Sequence, residues 1–104
     1  MSYQSFEELD VWKKARLLKN DIFQLVKTFP HEEKFKLCDQ LIRSSRSVNS
    51  QIAEGHGRRT NPDRLRFCVI SRGSLSETLN HLIDAFDCNY ICLEVLTNFR
   101  QKDN

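Results

Sequence analysis

From Val11 onward the apolar side chains fall at Val11, Ala15, Leu18, Ile22, Leu25 and Phe29, in steps of three and four separated by Lys, Arg, Asn and Asp. That period places one apolar stripe along a long amphipathic helix. Ser5 and Glu8 precede it at capping-box spacing. Pro30 ends it, because the residue before a proline is pushed out of the helical region. His31, Glu32 and Glu33 then open a second helix with acid in the first turn, where the helix dipole favours it. Cys38, Leu41, Ser45, Val48 and Ile52 carry the same spacing forward to Gly55 and Gly57, where a left-handed residue is expected to close the last turn.

Arg58, Arg59 and Thr60 form a short basic connection, and Asn61 and Pro62 suit the N-cap and first position of a third helix. Its stripe reads Leu65, Cys68, Arg72, Leu75, Leu79, Leu82 and Phe86, and Ser71, Gly73, Ser74 and Ser76 form a small-residue patch that admits a close neighbour. After Asp87-Cys88-Asn89, a fourth segment carries Ile91, Val95, Leu96 and Phe99 before running out in polar residues. Short loops between such helices predict an all-α fold, an antiparallel up-and-down four-helix bundle with a short fourth helix, forming a single domain over residues 1–104. At ~1.5 Å per residue the first helix spans ~30 Å and the fourth about half of that. Part of the groove between the first and third helices should therefore lack a cover, and an uncovered apolar groove implies a partner subunit.

Composition agrees with this reading. Of 104 residues, 39% are hydrophobic and 29% charged, with three Gly and two Pro, too little turn punctuation for an all-β fold. The net charge of +2 says little, but its placement says more. Residues 43–72 hold seven Arg and no Lys against Glu54 and Asp63, net +5, whereas residues 73–104 hold two basic and five acidic residues, net −3. No stretch approaches the ~20 apolar residues of a membrane span, and the opening MSYQSFEELD is acidic where a signal peptide is basic and then apolar, so a cytoplasmic protein with no membrane partner is expected. Cys38, Cys68, Cys88 and Cys92 include no C-x-x-C pair, and Cys38 and Cys68 fall in apolar stripes, as reduced core thiols do.

The arginines divide by position. Arg43 and Arg46 lie three apart on the second helix, while Arg58, Arg59, Arg64 and Arg66 surround the turn and the start of the third. Three readings stay open for them: a solvated face, carboxylate pairing between subunits, or contact with nucleic-acid phosphates. The start of the third helix also offers unpaired N–H groups beside Arg58 and Arg59. Aromatic interleaving is poor, since only Phe67 lies among these arginines, and its helical position suits packing better than base stacking. Gly55-His56-Gly57-Arg58 lacks the preceding strand and the Lys-Ser/Thr ending of a phosphate loop. His81, Cys88 and Cys92 leave a tetrahedral metal site incomplete, so no metal or cofactor is expected. No nucleophile, base and orienting group come together: His31 and His56 sit at helix ends, Ser44, Ser45 and Ser47 read as packing residues, and Glu32 and Glu33 as dipole partners. A non-enzymatic protein is the expectation. Glu54 and Glu77 are expected to serve structure by pairing with arginines on another helix, Arg43 or Arg46 in the case of Glu77.

The stretches Phe6-Glu7-Glu8-Leu9-x-Val11-Trp12-x-Lys14-Ala15, Phe29-Pro30-x-Glu32-Glu33-x-Phe35-x-Leu37, Ile52-Ala53-Glu54-Gly55-x-Gly57-Arg58 and Arg72-Gly73-Ser74-Leu75-x-Glu77 are specific. Through them the chain resembles the bacterial four-helix bundle family encoded by intervening sequences inside 23S ribosomal RNA genes. In fold it is also similar to the accessory variability protein of diversity-generating retroelements, a basic pentameric barrel that binds nucleic acid. The resemblance implies a homo-oligomer, commonly a pentamer, without enzymatic activity. Family members usually carry Pro where Asn49 stands, Asn where Gln51 stands and an aromatic where Arg64 stands, so an unkinked second helix is implied here. The reading as a whole is a non-enzymatic homo-oligomeric bundle that binds RNA or DNA through Arg58, Arg59, Arg64, Arg66, Arg43 and Arg46. The alternative is an oligomeric protein-binding scaffold with no nucleic-acid role.

Overall fold

In the computed structural model, which describes residues 5–102, four α-helices account for most of the chain. They are α1 (Asp10–Leu25), α2 (Leu37–His56), α3 (Asn61–Asp87) and α4 (Leu93–Lys102). No strand occurs among the described residues. Successive helices run up and down, α2 and α3 pack together over the longest stretch, and the bundle measures 50 × 21 × 19 Å. The four helices forecast from periodicity are all present, and the details of their ends differ.

Ser5 caps a 3₁₀ turn at Phe6–Glu8, accepting from the Glu7 N–H at 3.2 Å, in place of a capping box on α1. The extended Leu9 separates that turn from α1. α1 stops at Leu25 and tightens into a 3₁₀ turn over Val26–Thr28 before Pro30. His31–Glu33 form another 3₁₀ turn, and the α-helix begins only at Leu37. Gly57 closes α2 with φ −79°, not in the left-handed region, through Gly57 N–H to Glu54 O and Arg58 N–H to Gly55 O. The left-handed residue is instead Asn89, φ 64°, after α3. There the Asn89 N–H reaches Phe86 O and the Tyr90 N–H reaches Ala85 O, the paired bonds of a Schellman turn. Thr60, not Asn61, caps α3, its Oγ1 accepting from the Asp63 N–H at 3.3 Å. α2 runs unbroken through Asn49, which is buried and ties α1 to α2 by accepting from Lys19 Nζ at 2.9 Å and donating to Trp12 O at 3.2 Å.

The apolar core lies at one end. Leu18, Ile22, Val26 and Phe29 meet Leu37, Cys38 and Leu41 from α2, Leu82 and Ala85 from α3, and Ile91, Leu96 and Phe99 from the last segment. Full burial of Ile22, Leu41, Leu82 or Leu96 contributes about 1.5–3 kcal/mol each. Toward the other end the α2–α3 seam becomes polar. Thr78 Oγ1 lies 2.8 Å from Ser44 Oγ, Ser47 Oγ lies 2.8 Å from Ser74 Oγ, and Ser71 Oγ donates to Val48 O at 2.9 Å. Ser71 and Ser74 thus face α2 as a small-residue patch should, whereas Gly73 and Ser76 turn outward. The predicted α3 stripe holds only in its second half: Leu82 is buried, but Leu65, Cys68 and Arg72 are exposed, and Phe67, Ser71 and Thr78 take the buried positions. Of the cysteines, only Cys38 is in the core, its thiol donating to Val26 O at 3.5 Å and its pKa pushed up by burial and by Glu33. Cys68 is exposed, a correction to its assignment as a core thiol.

Candidate functional site

The basic turn is organised by one ring. Gly55 brings α2 so close to α3 that a Cβ there would stand 2.9 Å from Phe67 Cβ, and Phe67 is buried at this crossing. The Arg58 guanidinium sits 4.7 Å and that of Arg66 4.9 Å from the centre of the Phe67 ring. Such contacts are worth about 0.5–2 kcal/mol according to desolvation. Arg58 Nη2 also meets Glu54 Oε1 at 2.6 Å, and Arg64 Nε donates to Arg58 O at 2.8 Å. Arg58, Arg64 and Arg66 are therefore held in one group, with the exposed Arg59 following Arg58 directly in the turn that leads to the start of α3. Arg58 spends part of its charge on Glu54, so the outward positive charge of the group belongs mainly to Arg59, Arg64 and Arg66.

Arg43 and Arg46 do not join this group. On α2 they lie 15 and 12 residues before Arg58, ~22 and ~18 Å along the helix axis. Arg43 pairs with Asp39 at 3.6 Å, and Arg46 covers Phe23 of α1 at 5.9 Å. Glu54 and Glu77 also differ from expectation. Glu54 pairs one helical turn ahead, with Arg58, because α2 keeps its hydrogen bonding through Gly57 and so keeps the four-residue spacing. Glu77 lies 3.6 Å from His81 on its own helix and shares a small surface hollow with Arg43 without an ion pair. Arg43 is already paired with Asp39. His81 is largely buried between Glu77 and Asp84, and neither of its ring nitrogens has a hydrogen-bond partner.

Beside the arginine group lies an open groove of about 690 Å³, the place where the sequence predicts the first and third helices to lack a cover. α1 and α3 form its walls and α2 its floor. Ala15, Leu18, Val48 and Ile52 supply apolar surface, and Lys14, Arg64 and Arg72 stand among its polar residues. Cys68 lines the α3 wall, and Gln51 Oε1 is buried there with no hydrogen-bond partner. Sequence reasoning missed Gln51 and the Gly55–Phe67 contact. A glycine near a helix end signals a cap as readily as a crossing, so the pattern carried no distinguishing mark. Among the described residues no group of three His, Cys, Asp or Glu side chains is placed to hold a metal, and no helix is long and apolar enough to cross a membrane.

A comparison with curated proteins gives no match. The family model described as 23S rRNA-intervening sequence protein matches residues 7–103, which takes in all four helices, the arginine group and the groove, and the chain belongs to that family.

Proposed function

We propose that this protein is a non-enzymatic, homo-oligomeric helical bundle that binds RNA or DNA phosphates through the arginine group at the α2–α3 turn. The observation carrying the reading is the gathering of Arg58, Arg64 and Arg66 about Phe67 and the start of α3, with Arg59 exposed in the connecting turn. Guanidiniums held beforehand lose less freedom on meeting a phosphate, and their planar forks match its oxygens. A single such patch gives only about micromolar or weaker non-specific affinity, so copies joined in one assembly would act through avidity along a strand. Sequence preference should be slight, since phosphate contacts position without specifying.

The test is the double variant Arg59→Ala/Arg66→Ala, chosen because Arg58 is already paired with Glu54. Fluorescence anisotropy with a labelled single-stranded RNA across a salt series should show weaker binding and a salt slope smaller by about 1–2 than that of the parent. Unchanged helicity and mass would confirm that the fold survives. If parent and variant bind alike, or the parent does not bind at low salt, the reading fails.

A specific observation favours a second reading, the protein-binding scaffold. Leu65 and Val69 are 64% and 57% exposed on the outer face of α3, and Ile70 is also exposed, with Arg66 and Arg72 nearby on the same helix. Apolar side chains with interspersed arginine are the composition of protein interfaces. Under this reading Leu65→Asp/Val69→Asp lowers the light-scattering mass while the RNA titration shows nothing to lose.

A further inference from the structure

A row of aromatic and cationic side chains lies on the α1–α2 side of the bundle, apart from the groove and from the arginine group. At ~100° per residue, Trp12, Arg16 and Lys19 all fall within about 40° of Phe23 on α1, while the groove residues Lys14 and Leu18 lie about 140–180° away. The contacts agree with that placement. Arg16 stands 5.7 Å from the centre of a Trp12 ring, and Lys27 and Arg46 stand 4.7 and 5.9 Å from that of Phe23. Lys19 Nζ donates to Asn49 Oδ1 at 2.9 Å. Phe23 is 41% exposed, and Trp12 is half-buried. We infer that this face binds single-stranded nucleic acid, whose bases stack on Phe23 and Trp12 while Arg16, Lys19, Lys27 and Arg46 hold its phosphates.

Charge and spacing select that ligand. The four cations meet rings and a neutral amide, contacts that leave their charge in place. On α2 the carboxylate of Asp39 is taken by Arg43 at 3.6 Å, and Asp21 of α1 lies about 160° round the helix from Phe23. Glu7 and Glu8 belong to the turn before α1, at the Trp12 end. The two aromatic residues are ~16 Å apart along α1 with Arg16 and Lys19 between them, so stacking surfaces alternate with phosphate partners. A duplex keeps its bases stacked on one another and has no use for an exposed ring, whereas an unpaired strand does. An amphipathic protein segment or a lipid surface needs contiguous aliphatic surface, and the exposed Val11 and Leu17 of α1 lie about 120° from Phe23 on either side. This face shares a ligand class with the arginine group but no residue, so either can fail alone.

The experiment uses the full chain, whose single tryptophan makes Trp12 fluorescence a direct report on this face. An oligodeoxythymidine of about sixteen nucleotides should quench it saturably at low salt. A blunt duplex or a polyglutamate of the same length should bind more weakly by about tenfold or more. Phe23→Ala should weaken the oligonucleotide by about tenfold with circular dichroism unchanged, and Phe23→Tyr should bind like the parent. Lys27→Gln/Arg46→Gln should lower the salt slope by about 1.4. Arg59→Ala/Arg66→Ala should still show the full quench at saturation. Binding seen by anisotropy without quenching, equal affinity for strand and duplex, or indifference to Phe23→Ala would overturn the inference and leave the reading of the arginine group standing. So would equal quenching by polyglutamate, because the face would then hold an acidic protein segment.

Discussion

The two ends of this bundle are built by different chemistry. At the α4 end, twelve side chains from all parts of the chain close one apolar cluster, and five of them, Ile22, Leu41, Leu82, Ala85 and Leu96, are sealed from solvent. Toward the α2–α3 turn the buried positions are Ser44, Ser45, Asn49, Ser71 and Thr78, with Phe67 and Val48 the larger apolar members. Stability concentrates where apolar area is removed from water, and the other end is left with exposed arginines, an open groove and an apolar ridge. A domain of this size has only a small net stability to distribute, so one end holds the fold and the other presents surface.

Cutting a leucine at each end, one sealed and one exposed, tests that division most severely. Leu82→Ala should cost about 2–5 kcal/mol, since the sealed site cannot collapse around the lost atoms. Leu65→Ala, with 64% of the leucine already exposed, should stay within about 0.5 kcal/mol. Urea unfolding of both variants checks this, and equal losses would mean the open end carries as much stability as the closed one.

A smaller but sharper probe is Gly55→Ala. Alanine is the better helix former by about 0.8–1 kcal/mol, so propensity alone predicts stabilisation. The new methyl group, however, meets Phe67 Cβ at 2.9 Å, an atom fixed to the α3 backbone, and the helices must separate. Overpacking of this kind costs about 1–3 kcal/mol, which outweighs the propensity gain in most of that range. The same shift would disturb the ring under Arg58 and Arg66, so, under the proposed function, RNA affinity should fall with stability. A stabilised variant would show that the crossing has slack.

The seam between the ends comes next. Thr78→Val removes a hydroxyl between Ser44 Oγ and Ser74 O and leaves the buried Ser44 without that partner, for a loss of about 1 kcal/mol. Ser44→Ala added to Thr78→Val should cost less than the two single changes together. A double-mutant cycle in urea measures the difference, and strict additivity would deny that the two hydroxyls are coupled.

This seam also explains how far the sequence could be read. Leu18, Ile22, Leu41, Leu82 and Leu96 announce the closed end because an apolar stripe at helical period has few other uses. In the first half of α3 the same rule selected Leu65, Cys68 and Arg72, and these face the groove or solvent. The face that meets α2 there is Phe67, Ser71, Ser74 and Thr78, and its hydroxyls bond across the seam. Hydrophobic period is blind to such an interface, since small polar residues at a crossing look like a solvated face until their partners are known. The arginines around the turn were legible as a cluster from their proximity in sequence. Arg43 and Arg46, set apart by position but named with them as nucleic-acid ligands, lie far along α2 by helical rise. The groove between α1 and α3 was legible too, from the unequal lengths of the helices.

The subtlest prediction returns to the closed end, where Tyr90 Oη donates to Glu33 Oε2 at 3.0 Å and its ring packs 5.4 Å from Phe29. The hydrogen bond to the carboxylate, with help from burial and from the negative charge of Glu33, pushes the phenol up to about 12 from its ordinary 10. A raised pKa means that the folded chain holds this proton more tightly than the unfolded chain does. The resulting stabilisation is complete below pH 10, and it is lost as pH rises from 10 through about 12, where the unfolded chain ionises first. Parent and Tyr90→Phe should both weaken in strong base as lysines lose their charge, but the parent should weaken more steeply within that window. Thermal unfolding followed by circular dichroism from pH 8 to 12 compares them directly. Parallel curves would show that the phenol–carboxylate bond does not hold the segment after α3 against α2's entry turn, and that the closed end relies on its apolar cluster alone.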